Sequence, residues 1–199
     1  MKQLNGTGIV SQGDQMKVKM VSRIGKLILH FELEDTDKNQ PTENFQMGSN
    51  VVTTILPDDL DPESIHPDLL GLSCILICEP FIGKEITLPK PVSKKFFDGH
   101  SKVTSRYRIR NFDEKLSPRK VKDDYLPALA FSGGVDSTAA LSIMPHRTIP
   151  IFLDRPLKGS SLYNKDAAYQ SCLEVSRLGY DMKIIESDLE YVRDPVGFP

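Results

Sequence analysis

Six residues, Ser132-Gly133-Gly134-Val135-Asp136-Ser137, combine types and spacing suited to holding an anion. Gly133 and Gly134 have no Cβ, so the backbone is free to take positive φ and to approach a ligand closely. Successive N–H groups in such a turn form an anion-binding nest. A helix starting near Asp136 aims the positive end of its dipole at the same point. Ser132 and Ser137 add hydroxyl donors from the two sides. Asp136 repels a bare phosphate, so it serves either as a helix cap or as the ligand of a Mg²⁺ that travels with the phosphates. Five specified positions occur by chance in a chain this long at roughly 10⁻⁴.

The elements around the loop are those such a site requires. Leu126 to Phe131 reads as a short apolar strand, and Ser137 to about Met144 as a helix stopped by Pro145. A second apolar strand follows at Thr148–Leu153, then a helix from about Leu162 to Leu178 closed by Gly179, then a third strand at Met182–Ile185. Strand–helix–strand–helix–strand predicts βαβ units, a parallel sheet and right-handed crossovers. No G-x-x-x-x-G-K-[ST] is present, and Gly6-Thr7-Gly8 lacks both a third glycine and a preceding strand.

Phe131 through Ser137 resembles the PP-loop of the N-type ATP pyrophosphatases, the family that includes the ATPase domains of GMP synthetase and asparagine synthetase. The resemblance implies a Rossmann-like (HUP-type) α/β sheet that binds ATP with Mg²⁺, held by Phe131, Ser132, Gly133, Gly134, Val135, Asp136 and Ser137. Ser132, Asp136 and Ser137 would take the catalytic part, with Asp136 as the metal ligand. It also implies cleavage of ATP to AMP and pyrophosphate while a carboxylate or amide-type acceptor is adenylated. Carried over at the end of the second strand, Phe152 and Leu153 would lie by the adenine, often through backbone contacts, with Asp154 beside them where α/β folds place ligand contacts. Arg155 and Lys158 stand close enough in sequence to balance phosphate charge, and a solvated loop charge is the plainer reading of both. Ile185-Glu186-Ser187-Asp188 would line the same cleft. The similarity covers about residues 126–199. The fold it implies has more strands than the 62 residues after Ser137 accommodate, so the expectation is a truncated domain whose missing part holds the acceptor site.

The residues before the loop divide differently. Residues 1–17 are polar and Gly-rich, expected to be flexible. Residues 18–112 read as a small α+β domain, and 113–125 as a charged linker. Within the domain, Val18–Val21 and Leu27–Leu33 form a hairpin about Gly25, Val51–Leu56 a strand, and Pro67 opens a helix through Leu69, Leu70, Leu72, Ile75 and Leu76. Glu85–Leu88 and Tyr107–Arg110 are strands, and Ser93–His100 a helix anchored by Phe96 and Phe97. His66-Pro67-Asp68 and Leu88-Pro89-Lys90-Pro91 look similar to PP-loop-like epimerases that adenylate the terminal glutamate of a peptidoglycan-precursor dipeptide. That resemblance makes a nucleotide-sugar-peptide one candidate acceptor, any other small molecule being the alternative. A non-catalytic ATP-binding module, or an ATPase subunit of a synthetase or amidotransferase, is the competing function. A third reading makes the N-terminal domain the recognition part.

Composition narrows the field. Lys and Arg number 25 against 27 Asp and Glu, a net charge of −2, without the basic footprint of a nucleic-acid binder. Three cysteines are too few for a disulfide scaffold, and Cys74 and Cys78, four residues apart in an apolar run, read as buried small hydrophobes. The histidines lack metal-ligand spacing. No secretory signal opens the chain, and Leu69–Phe81 falls short of the ~20 apolar residues of a membrane span. The expectation is a cytoplasmic protein.

Overall fold

A computed structural model describes residues 15–33, 45–58, 60–120, 123–157 and 163–195. The expected flexible residues 1–14, Lys158 and Leu162 lie outside these. The chain is a mixed α/β protein with parallel sheets and helices, built as two units that share a seam.

β1 (Gln15–Arg23) and β2 (Lys26–Glu32) pair antiparallel through the turn at Gly25, whose φ of 70° needs glycine. The alternation of Leu27, Leu29 and Phe31 against Glu32 is realised, with Leu29 and Phe31 buried. β1 begins at Gln15, three residues earlier than alternation indicated, because Gln15–Lys17 pair with a later strand. β3 (Phe45–Met47) is too short to show a period in the sequence, and β4 (Val51–Ile55) adds antiparallel to β2.

α1 (Pro67–Cys78) starts with proline at its first position, and its His66 cap accepts from the Asp68 N–H. Leu70, Cys74, Ile75 and Cys78 are buried, whereas Leu69, Leu72 and Leu76 are exposed. The helix is apolar on nearly every side, so packing against the sheet and not residue type decides which face is buried. Gly71 lets the helix close on the sheet, and a Cβ there would stand 2.7 Å from Val92 Cγ1. β5 (Glu85–Thr87) lies parallel to β1, and β6 (Val92–Ser93) leads into α2 (Lys94–Val103), capped by Ser93. β7 (Arg108–Ile109) completes a sheet of order β4-β2-β1-β5-β7, and β8 (Phe112–Asp113) pairs with β6. Phe97 packs its ring on Phe112, centroids 4.5 Å apart.

The charged segment after Asp113 is exposed but tethered. Its Arg119 N–H donates to buried Asp68, which also accepts from the Ser93 N–H (2.7 Å) and Ser93 Oγ (2.8 Å).

The second unit follows the expected order. β9 (Ala128–Ala130), α3 (Val135–Ile143), β10 (Ile149–Asp154), α4 (Lys165–Arg177) and β11 (Lys183–Glu186) form a parallel sheet of order β11-β10-β9. Its core joins Phe131, Leu141, Phe152, Ala168, Cys172 and Val175. β12 (Arg193–Pro195) then crosses back to pair antiparallel with β3, and Val192 is fully buried in the core of the first unit. Arg193 donates to the Leu76 and Ile77 carbonyls at the end of α1. Among the described residues no helix is long and apolar enough to cross a membrane.

Candidate functional site

The site begins where β9 ends. Phe131 is 2% exposed and its N–H donates to the Ile151 carbonyl, so the sheet holds this residue and releases the chain at Ser132. Gly133 has φ 78°, and a Cβ on it would lie 2.9 Å from the Ala168 Cα in α4. Backbone conformation and close packing both require glycine here. Ser171 Oγ donates to the Gly133 carbonyl, pinning the loop to α4.

Gly134 caps α3 without a side-chain oxygen, so its first-turn N–H groups meet no side-chain cap. The two serines brace the loop from within. Ser137 Oγ accepts from the Ser132 N–H at 3.3 Å, donates to the Gly134 carbonyl at 3.0 Å, and lies 3.1 Å from Ser132 Oγ. Thr138 Oγ1 adds a second bond to the Gly134 carbonyl. Asp136 is exposed in the first turn of α3, and no donor or cation among the described residues pairs with it. Val135, at the first helical position, is 86% exposed.

The predicted second contact point divides in two. Phe152 has its side chain buried in the core beside Tyr169, ring centroids 5.6 Å apart, which leaves its backbone as the part at the strand's end. Leu153 faces the opposite side of the sheet and is exposed. Asp154, at the strand's end, is held by α4. Lys165 Nζ stands 2.5 Å from Asp154 Oδ1, facing it without hydrogen-bond alignment, and Tyr169 donates its hydroxyl proton to Oδ2. That bond, with burial second, pushes the Tyr169 hydroxyl up to about 12. Arg155 pairs with Glu190 at 2.9 Å and covers the Tyr163 ring, while the Tyr163 hydroxyl donates to the Ser132 carbonyl. Lys158 is outside the described residues.

Beyond Asp154 opens a cleft of about 400 Å³ over the carboxyl ends of β10 and β11. Glu186, the register partner of Asp154, stands there with Ser187 and Asp188. The opposite wall is Thr53 and Ile55 of β4. The seam between the walls is short and hydrogen-bonded. The Thr53 N–H donates to Asp188 Oδ1 at 2.6 Å, the Asp188 N–H returns to the Thr53 carbonyl at 3.1 Å, and Thr54 Oγ1 meets Ser187 Oγ at 3.1 Å.

Lys165, Tyr163, Tyr169 and Glu190 escaped sequence reasoning. Lys165 and Tyr169, four residues apart on one helix, carried the only readable signal, since i,i+4 side chains reach the same place. Thr53 and Ile55 carried none, being 135 residues from Asp188 in the case of Thr53.

The cysteines stand apart from this site as packing residues. Cys74, Cys78 and Cys172 are all buried and outside any disulfide, the Cys78 thiol donates to the Cys74 carbonyl at 3.0 Å, and burial pushes Cys74 up to about 12. His66 spends Nδ1 on the α1 cap, and His146 stacks on Tyr180. Among the described residues no group of three or more His, Cys, Asp or Glu is arranged to hold a metal ion. Comparison with family models, with curated proteins and with solved structures returned no match.

Proposed function

We propose that the chain binds ATP and acts as an ATP pyrophosphatase-type adenylating enzyme, its parallel sheet being a Rossmann-like sheet of the HUP type. The observation that carries this reading is the loop at Gly133: positive φ and contact with Ala168 hold it open at the end of a parallel strand, before an uncapped helix N-terminus. Such a turn offers oriented N–H donors to phosphate oxygens. The cleft beside it takes the nucleoside.

The donor set suits a Mg²⁺ borne by the nucleotide. Asp136 is a lone exposed carboxylate beside an anion cradle, and Mg²⁺ draws one or two carboxylates plus phosphates and keeps its waters. When bound, it neutralises phosphate charge.

The protein's own part is leaving-group stabilisation. An acceptor oxygen attacks the α-phosphorus, the bond from that phosphorus to the bridging oxygen breaks, and the electron pair leaves on pyrophosphate. The N–H groups in the first turn of α3 face that growing charge, while those of Ser132 and Gly134 are first released from the serine hydroxyls they donate to. Ser132 and Ser137 exchange their mutual contact for phosphate oxygens. Three buried cysteines, none of them in a disulfide, suit the reducing cytoplasm.

Calorimetric titration with Mg·ATP tests binding. Ser137→Ala removes one donor and one loop brace, and is expected to weaken ATP about tenfold. Incubation with a nucleotide-sugar dipeptide ending in glutamate, the first acceptor to try, is expected to yield AMP and pyrophosphate. ADP and phosphate would overturn the reaction assignment, and binding with no turnover on any acceptor would leave a binding module.

A further inference from the structure

The cleft has two walls from different units, and the sheet that carries the loop supplies only one. The other is the end of β4, where Ile55 is 41% exposed although it belongs to a paired strand. Its position is fixed rather than incidental. Thr53, two residues earlier, exchanges two backbone-anchored bonds with Asp188, and the neighbouring Thr54 bridges to Ser187. Val192, a few residues on, is fully buried in the first unit's core. These bonds tie the β4 wall to the strand ends.

Charge decides which part of a nucleotide belongs here. Arg155 and Lys165 are already spent on Glu190 and Asp154. Glu186 stands beside Asp154 with no donor or cation paired to it among the described residues, and Asp188 adds a further carboxylate. An acidic floor repels phosphate and accepts hydrogen bonds from hydroxyl and amino groups. The anion-seeking groups lie at the loop instead, one strand from β10 and two from β11, about 5 and 10 Å across the sheet. A volume of about 400 Å³ falls in the range of small-molecule pockets.

We propose that Ile55 of the N-terminal unit is a specificity-determining contact for the nucleoside of bound ATP. It supplies an apolar surface to the base, while the Glu186 side accepts from its polar edge or from the ribose. This rests on the ATP reading. It adds that the N-terminal unit is half of the nucleotide site rather than an appended module.

The test is titration of the full chain with Mg·ATP and, separately, with inorganic tripolyphosphate, using wild type, Ile55→Glu, Ile55→Val and Ser137→Ala. Ile55→Glu places a fourth carboxylate on the cleft and is expected to weaken ATP about tenfold or more while leaving tripolyphosphate unchanged. Ile55→Val keeps the apolar surface and is expected to stay within about twofold, since it removes one methylene. Ser137→Ala is expected to weaken both ligands. Wild type that binds neither ligand, or only tripolyphosphate, overturns the ATP reading and this inference with it. Wild type that binds ATP, with Ile55→Glu binding it equally well, overturns the Ile55 assignment alone. Loss of both ligands in Ile55→Glu would also overturn it, because the effect would not be local to the nucleoside end.

Discussion

Compared strand by strand, the two sheets bury very different amounts of hydrocarbon. In the N-terminal sheet, Met16, Val18, Leu29, Phe31, Val52 and Ile86 are almost wholly buried, and α1 closes over them with Leu70, Cys74 and Cys78. In the C-terminal sheet α3 and α4 cover one face, around Phe131 and Phe152. Ala128, Ala130 and Leu153 on the other face are exposed, and so are Val135 and Ile143 of α3. Parallel strands ordinarily bury both faces. The contrast teaches where the packing lies: the first unit holds the larger core, and the second carries the candidate loop and one wall of the cleft. The segment from Ser187 to Pro195 ties the weaker unit to the stronger, through Asp188, Val192 and β12.

The largest expected effect tests that dependence. Phe31→Ala is expected to cost about 4 kcal/mol of unfolding free energy, since it empties a fully buried site. Hydrogen exchange should then show amides of α4 losing protection together with those of β1 and β2. Phe152→Ala is expected to cost about 3 kcal/mol and to loosen only the second unit. If Phe31→Ala left α4 fully protected, the two units would be independent and the comparison would fail.

Next in size comes Asp68, the polar centre of the first unit. Asp68→Asn is expected to cost about 2 kcal/mol at neutral pH, because two N–H donors and a hydroxyl now address a charged acceptor. Burial pushes its pKa up, but the bonds from Ser93 and Arg119 outweigh that and leave it below the ordinary 3.8. A carboxyl lowered on folding contributes stability that is present above the unfolded pKa and lost as pH falls through the folded one. Denaturation of wild type and Asp68→Asn should therefore converge as the pH drops below about 4. A gap independent of pH would mean that Asp68 acts by shape rather than charge.

Local signals in the sequence match the first unit's hairpin and the second unit's strand–helix order, for physical reasons. Alternation at Leu27, Leu29 and Phe31 reports a half-buried strand, and Pro67 reports a helix start. The loop was readable because glycine has few competing reasons to recur beside serine and aspartate before a helix. What escaped notice is non-local. β3, β6, β8 and β12 have two or three residues each and hold no period. The buried face of α1 escaped because a helix apolar on nearly every side has no stripe. The Ile55 wall escaped because nothing near Ile55 in the chain refers to Asp154 or Asp188.

The smallest expected effect is a repair rather than a lesion. Thr148, just ahead of β10, is 1% exposed, and its Oγ1 has no hydrogen-bond partner among the described residues, although its N–H donates to the Pro145 carbonyl at 2.8 Å. A buried hydroxyl without a partner costs desolvation and returns nothing. Thr148→Val keeps the branched shape and replaces that hydroxyl with a methyl group, so thermal and urea unfolding should find stability unchanged or raised by up to about 1 kcal/mol. The first unit holds an atom of the same kind, His100 Nε2, in a ring packed on Tyr107. A loss of that size instead would mean that the hydroxyl is engaged, and the second unit would be better satisfied than its packing implies.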